Sequence, residues 1–445
     1  MADDLLPLPL SPFEFYYWCD DRPDYPTTFP VELLFRGPLR RKELEDALQV
    51  CLDRHPLLNA NVDVSTGKIP SWVPAECRSL PLDWADWSTP IDHAAGRFID
   101  LTTEVGVRLW VRTSAERSRL VLQFHHACCD ALGGLQFFEE LLVIYDSLIA
   151  GTDPRSLLRR LDPQRLLLRS DYGLTKANYR PNLRDALTTL RFWSWNLMRR
   201  PALLAVPDQD HAPPAEKTAD LGYVTHTLTK EDRHHLQTRA SRGNATINDL
   251  MLRDLLLTLR DWNHELGGDA RRLVINVPVS LRNRVDQQMP ATNVLGFWFL
   301  ERRISDCRDA DRLLGGIRDE MEAVRKWRLP LYFIGGLRYA CKFPRKMRKV
   351  LRSRRSFATI VFSNAGRLMA RTSLKRQDRK LICGNVLLER ITGVPPVRPG
   401  TRAAIIVAHY GYDTYVNLQW DPHVLNESAA RLLLDKYIQR LMRDS

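Results

Sequence analysis

The chain has 445 residues, with 44% hydrophobic and 27% charged side chains. That length suffices for two domains of ordinary size, and that balance fills a core without reading as disordered. The net charge is +12, yet no zinc-finger spacing, RNP-like aromatic string or helix-turn-helix pattern supports a nucleic-acid partner. No apolar run reaches the length of a bilayer span, and the acidic opening Met1-Ala2-Asp3-Asp4 does not read as a signal peptide. The eight cysteines lack paired C-x-x-C spacing, which fits a reduced, cytoplasmic setting.

Ser11, Pro12 and Glu14 predict a helix opened by a capping box with proline at its first position. Residues 30–37 read as a strand ending at Gly37. Residues 39–54 read as an amphipathic helix carrying Leu44, Leu48, Cys51 and Leu52, stopped by Pro56. His55, at that helix end, reads as a cap or packing residue. A buried strand is expected over 119–124 and an amphipathic helix over 135–148. Between them lies Phe124-His125-His126-Ala127-Cys128-Cys129-Asp130-Ala131.

The two histidines follow one another on a strand, and successive side chains point to opposite faces. One therefore works and the other packs. An imidazole titrates near neutrality, takes a proton from an attacking hydroxyl or amine and returns it to a thiolate leaving group. A metal site built on both histidines and Asp130 conflicts with the opposed faces and lacks further ligands. Cys128 or Cys129 as nucleophile competes with the ordinary use of cysteine as a small buried hydrophobe.

Residues 191–198 read as an amphipathic helix with basic flanks. Lining a tunnel, touching a membrane and packing the two halves together all stay open for it. The turn-rich residues 207–216 are the expected linker between an N-terminal half, 1–206, and a C-terminal half, 217–445. The second half opens with a strand over 222–228 and a helix from Thr229. A long helix follows over 246–264, capped by Thr246 or Asn248, with Asp249 a structural residue at its start. Residues 273–282 form a strand leading into a loop at Arg282. Further strands are expected over 293–299, 360–366, 403–408 and 414–420. The basic run from Lys342 to Arg355 is read as a docking site for an anionic donor, its acidic carrier or an anionic membrane, or as a solvated helix face. Lys342, Arg345, Lys346 and Lys349 share one side if that run is helical.

The His125-His126-x-x-x-Asp130 string resembles the signature of the chloramphenicol acetyltransferase-like superfamily. That group includes condensation domains of peptide synthetases, wax ester synthase/diacylglycerol acyltransferases and plant acyl-CoA-dependent acyltransferases. The segments Arg54-His55-Pro56-Leu57-Leu58, Pro278-Val279-Ser280-Leu281-Arg282 and Asn293-Val294-Leu295-Gly296 resemble further family segments, as does the terminal strand pair. Ala131 stands where glycine is usual, and His409 where serine often is. The plant-type Asp-Phe-Gly-Trp-Gly motif is absent.

The resemblance implies an α/β fold of mixed sheets in two similar halves, with the active-site tunnel between them. It implies acyl transfer from coenzyme A or a carrier protein to an alcohol or amine. His126 would be the general base, with His125, Asp130 and Arg282 structural and Arg282 paired with Asp130. Asn293, Ser363 and Asn364 are the polar residues expected to bind substrate or the oxyanion. The thioester is a co-substrate, and no permanently bound cofactor or metal is implied. The alternatives are condensation of two carrier-bound substrates supplied in trans, and a catalytically silent member that binds a carrier or membrane.

Overall fold

Two mixed sheets organise the chain. A computed structural model describes residues 5–443 except 66, 77–79, 81, 92–97, 175–182, 208–221, 269–270 and 354. The first part carries β1 (Leu8–Pro9), α1 (Pro12–Asp20), β2 (Thr28–Arg36), α2 (Arg41–Arg54), β3 (Ala60–Asp63), β4 (Ser71–Pro74), β5 (Leu82–Asp86), β6 (Val107–Thr113), β7 (Arg117–His125), α3 (Ala131–Ala150) and α4 (Leu183–Met198). The second begins with β8 (Tyr223–Leu228), α5 (Lys230–Arg242), α6 (Ile247–Glu265), β9 (Arg272–Ser280) and β10 (Leu295–Arg303). It continues through α7 (Ala310–Lys326), α8 (Leu331–Ala340), α9 (Pro344–Leu351) and β11 (Ile360–Arg367). β12 (Arg376–Gln377), β13 (Lys380–Cys383), β14 (Val386–Gly393), β15 (Ala403–Tyr410), β16 (Asp413–Trp420) and α10 (Glu427–Met442) complete it.

Local chemistry sets the helix starts. The Ser11 hydroxyl accepts the Glu14 N–H, and Glu14 accepts the Ser11 N–H at 2.8 Å. Thr246 is the cap of α6 in a box with Asp249, so Asn248 lies inside the helix. Asp130 caps α3 by accepting the Gly133 N–H. Each such cap stabilises a helix by ~1 kcal/mol.

The seven-stranded sheet runs β12-β13-β14-β2-β7-β6-β5, and the six-stranded sheet runs β10-β9-β11-β15-β16-β8. β1, β4 and β3 make a small third sheet. Most neighbours are antiparallel; β5 with β6, and β11 with β9 and β15, are parallel. The first sheet packs on α2 and α3 through Leu44, Leu48, Phe124, Phe137 and Phe138, all buried. The second packs on α6 and α10 through residues such as Leu255, Leu259, Ile405 and Leu433.

The two parts are stitched together. β14 crosses to the first sheet and pairs antiparallel with β2, from Leu387 opposite Arg36 to Gly393 opposite Val31. Residues 376–393 therefore extend the N-terminal sheet, although the sequence division assigns all of 217–445 to the second half. Strand periodicity shows which side chains share a face, not which sheet a strand joins. Apart from Pro207, the expected linker lies outside the described residues. In the basic run α9 starts at Pro344, so Lys342 sits in the turn ahead of it and does not share its helical face. Arg354 lies outside the described residues.

Candidate active site

β7 lies between β2 and β6 and ends at His125, whose Cα partner is Thr28. His125 is the last residue of that strand and His126 the first of the turn after it, and the two side chains have different surroundings. His125 is wholly buried. Its Nδ1 accepts the Ala127 N–H at 3.0 Å, and its Nε2 lies 3.2 Å from Asp21 Oδ2. An accepting Nδ1 leaves the proton on Nε2, facing the carboxylate. Asp21 in turn accepts the Thr27 N–H at 2.7 Å. His125 thus fastens the end of β7 to the chain between α1 and β2.

His126 sits among aromatic rings. Its backbone N–H donates to the Thr27 carbonyl at 2.8 Å. Its ring lies on Tyr17 with centroids 4.2 Å apart and planes 7° from parallel, and Phe29 flanks it at 4.7 Å. Nδ1 is buried without a hydrogen-bond partner. Burial pushes the His126 imidazole down from 6.5 to about 4; the Asp130 charge opposes this and His125 adds to it. The ring is therefore neutral at neutral pH.

The loop after His126 is clamped from the second half. Asp130 Oδ1 accepts the Gly133 N–H at 2.8 Å, and Oδ2 accepts the Val294 N–H at 3.0 Å and Arg282 Nη1 at 2.6 Å. Arg282 also donates to the Thr292 carbonyl at 2.8 Å. Burial alone would raise the Asp130 carboxyl; Arg282 and the two N–H groups outweigh it and hold the carboxyl below its ordinary range. Asn293 Nδ2 donates to the carbonyls of His126 and Ala127, at 2.8 and 3.0 Å. A Cβ on Gly133 would lie 3.0 Å from the Thr292 carbonyl oxygen, so glycine permits this close approach. Ala131 is the first helical residue of α3, where glycine is not required. His55 packs behind the same segment, accepting the Ala291 N–H at 2.9 Å with Glu140 on its other side at 3.3 Å.

The His126 ring lines a cavity of about 1010 Å³ between α1, α4, β9, β10, α8 and α9. Its walls are largely aromatic, with Tyr16, Phe297, Phe299, Phe333 and Trp193. Of the uses open to residues 191–198, the helix that contains them lines this cavity. Trp193 Nε1 donates to the Tyr332 and Phe333 carbonyls at 3.2 Å, over the notch left by Gly336. Polar features in the wall include Thr27, Asn196, Asn276 and the Asp20–Arg398 ion pair. The amide oxygens of Asn196 and Asn276 are buried and unpartnered.

The structure thus brings together His125, His126, Asp130, Arg282 and Asn293. Ser363 and Asn364 lie on β11 and do not line the cavity. Asn364 is exposed, donating to Asn248 Oδ1 at 3.1 Å and accepting the Gly366 N–H at 2.9 Å. Val361, earlier on the same strand, does line the cavity, but the wall does not extend to Ser363 or Asn364. Asn293 is adjacent, but its amide N–H groups are occupied by backbone. His409 pairs with Thr414 at 2.6 Å, away from this cavity. Sequence reasoning missed Tyr17, Asp20 and Arg398. The aromatic run of the capped helix α1 was a signal for the first. Nothing local links Arg398 to Asp20, 378 residues away.

The sequence profile of the condensation domain matches residues 27–328. The chain belongs to the condensation-domain family. Condensation domains are acyl-transferring enzymes that form amide or ester bonds, and this chain shares that class. Solved condensation domains share the fold. The starter condensation domain of rhizomide synthetase RzmA, a double mutant in complex with C8-CoA and Leu-SNAC, is 14% identical. The alignment covers 98% of this chain and 93% of that chain, with a TM-score of 0.66. The first condensation domain of the calcium-dependent antibiotic synthetase, in complex with substrate analogue 3a, is 14% identical over 98% and 95% of the two chains, at a TM-score of 0.70. The X-domain from teicoplanin biosynthesis is 17% identical over 98% and 94%, at 0.64. No curated protein sequence matches the chain.

Proposed function

We propose that this condensation-domain protein transfers an acyl group from a thioester, on coenzyme A or on the phosphopantetheine of a carrier protein, directly to an alcohol or amine. The acceptor oxygen or nitrogen attacks the thioester carbonyl while His126 takes its proton. The C–S bond then breaks, and the proton passes from the imidazole to the departing thiolate. The observation that carries this reading is the neutral His126 ring, held flat on Tyr17 at the wall of a large aromatic cavity. A neutral imidazole can accept a proton, and a fixed plane keeps its lone pair aimed. Asp130, Arg282 and Asn293 act on its loop, not on substrate. The aromatic walls suit an apolar acyl group, and the cavity volume sits at the upper end of ordinary ligand sites.

A thiol-release assay with acyl thioesters on coenzyme A and on carrier protein, each with alcohol and amine acceptors, tests the reading. Turnover from coenzyme A thioesters supports a free-standing transferase. A strict requirement for carriers on both substrates would assign peptide-type condensation instead. Retained binding without thiol release from any donor would refute transfer.

A further inference from the structure

The mouth of the His126 cavity has a chemistry of its own. Residues 323–377 contain no aspartate or glutamate. Within that stretch α9 and the turn before it expose Lys342, Arg345, Lys346 and Lys349. Among the described residues, no salt bridge involves these four. Two of them lie over aromatic rings instead, Lys342 Nζ 5.8 Å from the centre of Tyr339 and Lys346 Nζ 5.4 Å from that of Phe343.

The same rim is apolar. Trp327, Tyr339, Phe343 and Val350 line the cavity and are each at least 41% exposed. The helix α4, which packs on α8, exposes Leu183, Leu187 and Leu190, each more than half open to solvent. Their spacing puts them on one side of the helix. Leu190 itself lines the cavity. Large apolar side chains gathered in this way mark an interaction surface.

We propose that this face docks on an anionic bilayer and that an acyl-bearing substrate enters the cavity from it. Basic residues around exposed leucines and aromatics match an interfacial surface: the apolar groups enter the acyl boundary and the cations meet acidic headgroups. The ammonium groups of Lys342 and Lys346, held over aromatic rings at the rim, place cationic charge beside the apolar side chains, as an interfacial surface requires. The exposed rim is continuous with the aromatic wall, so an acyl chain passes from lipid to the site without crossing water. That last step rests on the transfer reading given above; the docking does not.

Vesicle co-sedimentation of the full chain tests this, using phosphatidylcholine vesicles with and without phosphatidylglycerol. Two double variants are compared, Arg345→Glu with Lys349→Glu, and Leu183→Gln with Leu187→Gln. None of these residues lines the cavity. Each basic residue near an anionic surface contributes about fivefold to binding. The wild type should bind only the anionic vesicles, and the charge-reversed protein should bind them at least about tenfold more weakly. The leucine variant should lose what binding survives high salt. Both should keep thiol release from a water-soluble acyl thioester. No vesicle binding by the wild type, or equal binding by the charge-reversed protein, overturns the proposal. So does a result in which the charge reversal weakens only an acidic carrier protein. If vesicles bind as expected but no donor releases thiol, the transfer reading fails and the docking stands.

Discussion

His126 lies on Tyr17 with ring planes 7° from parallel and centroids 4.2 Å apart. The stack covers a face of an imidazole whose Nδ1 has no well-aligned hydrogen-bond partner, although backbone groups of His126 and Cys129 lie near enough to favour its protonated form slightly. Orientation here comes from packing rather than from a carboxylate on the ring. Tyr17→Phe keeps the stacked ring and should retain activity within about threefold. Tyr17→Ala frees the imidazole to rotate and should lower kcat by about 10–100-fold, consistent with the cost of misplacing a reacting group. Steady-state kinetics on both proteins check this; equal losses would mean that the phenol oxygen matters and the stack does not.

The Asp130–Arg282 pair joins the two halves across 152 residues of sequence. Asp130 is buried, while the Arg282 side chain is 22% exposed. Removing one partner of a buried pair costs about 3–5 kcal/mol, and solvent screening at the partly exposed Arg282 brings the expected loss to or below the low end of that range. Asp130→Asn and Arg282→Gln should each lower stability by ~2–3 kcal/mol. In the double mutant the losses should fall short of additive by more than ~1 kcal/mol, measured by urea unfolding. Additive losses would show that the two residues act independently.

Cys128 and Cys129 are fully buried, and burial pushes both thiols well above the ordinary value. Neither supplies a thiolate at neutral pH. Cys128→Ala and Cys129→Ala should each keep turnover within about fivefold while losing some stability to the cavity left behind. Intact-mass analysis during turnover should find no acyl-enzyme. An acyl-cysteine formed at the rate of turnover would replace direct transfer with a covalent route.

Burial lowers the His126 imidazole to about 4, against 6.5 for an unburied ring. Between pH 6.5 and 4 the unfolded chain binds a proton there that the folded protein refuses. Stability therefore falls as pH drops through that window, by ~3 kcal/mol from this group in all. His409 is likewise pushed down to about 4, by burial first and then by Arg233 and Arg367. Its effect has the same sign, so the slope of stability with pH should be only partly relieved in His126→Ala. The acid limb of kcat/KM should lie below pH 5. A limb near 6.5 would mean that the working base is an unburied group.

Much of the molecule was legible in its sequence because the signals were local. The boxes at Ser11 and Thr246 use side chains within one turn of the helix end, and the adjacency of His125 and His126 pointed to different surroundings for each, although the strand ends at His125 and a turn does the separating. The pairing of β14 with β2 and the meeting of Arg398 with Asp20 were not legible, because long-range register leaves no local trace. Ser363 and Asn364 show the opposite limit. A polar ending on an apolar strand marks a turn as readily as a binding site, and here Asn364 uses its side chain to accept the Gly366 N–H. The capacity of the cavity was also hidden, since its walls come from α1, α4, α8, α9 and the strands β9, β10 and β11, which are spread along the chain.

Thiol release by purified His126→Ala, compared with wild type on the same donor and acceptor, tests directly whether the imidazole takes the acceptor's proton. Loss of a general base typically costs about 10²–10⁴-fold. A loss in that range, with donor binding and circular dichroism unchanged, is the predicted result. Turnover within a few-fold of wild type in the folded variant would contradict it and remove His126 from the chemistry.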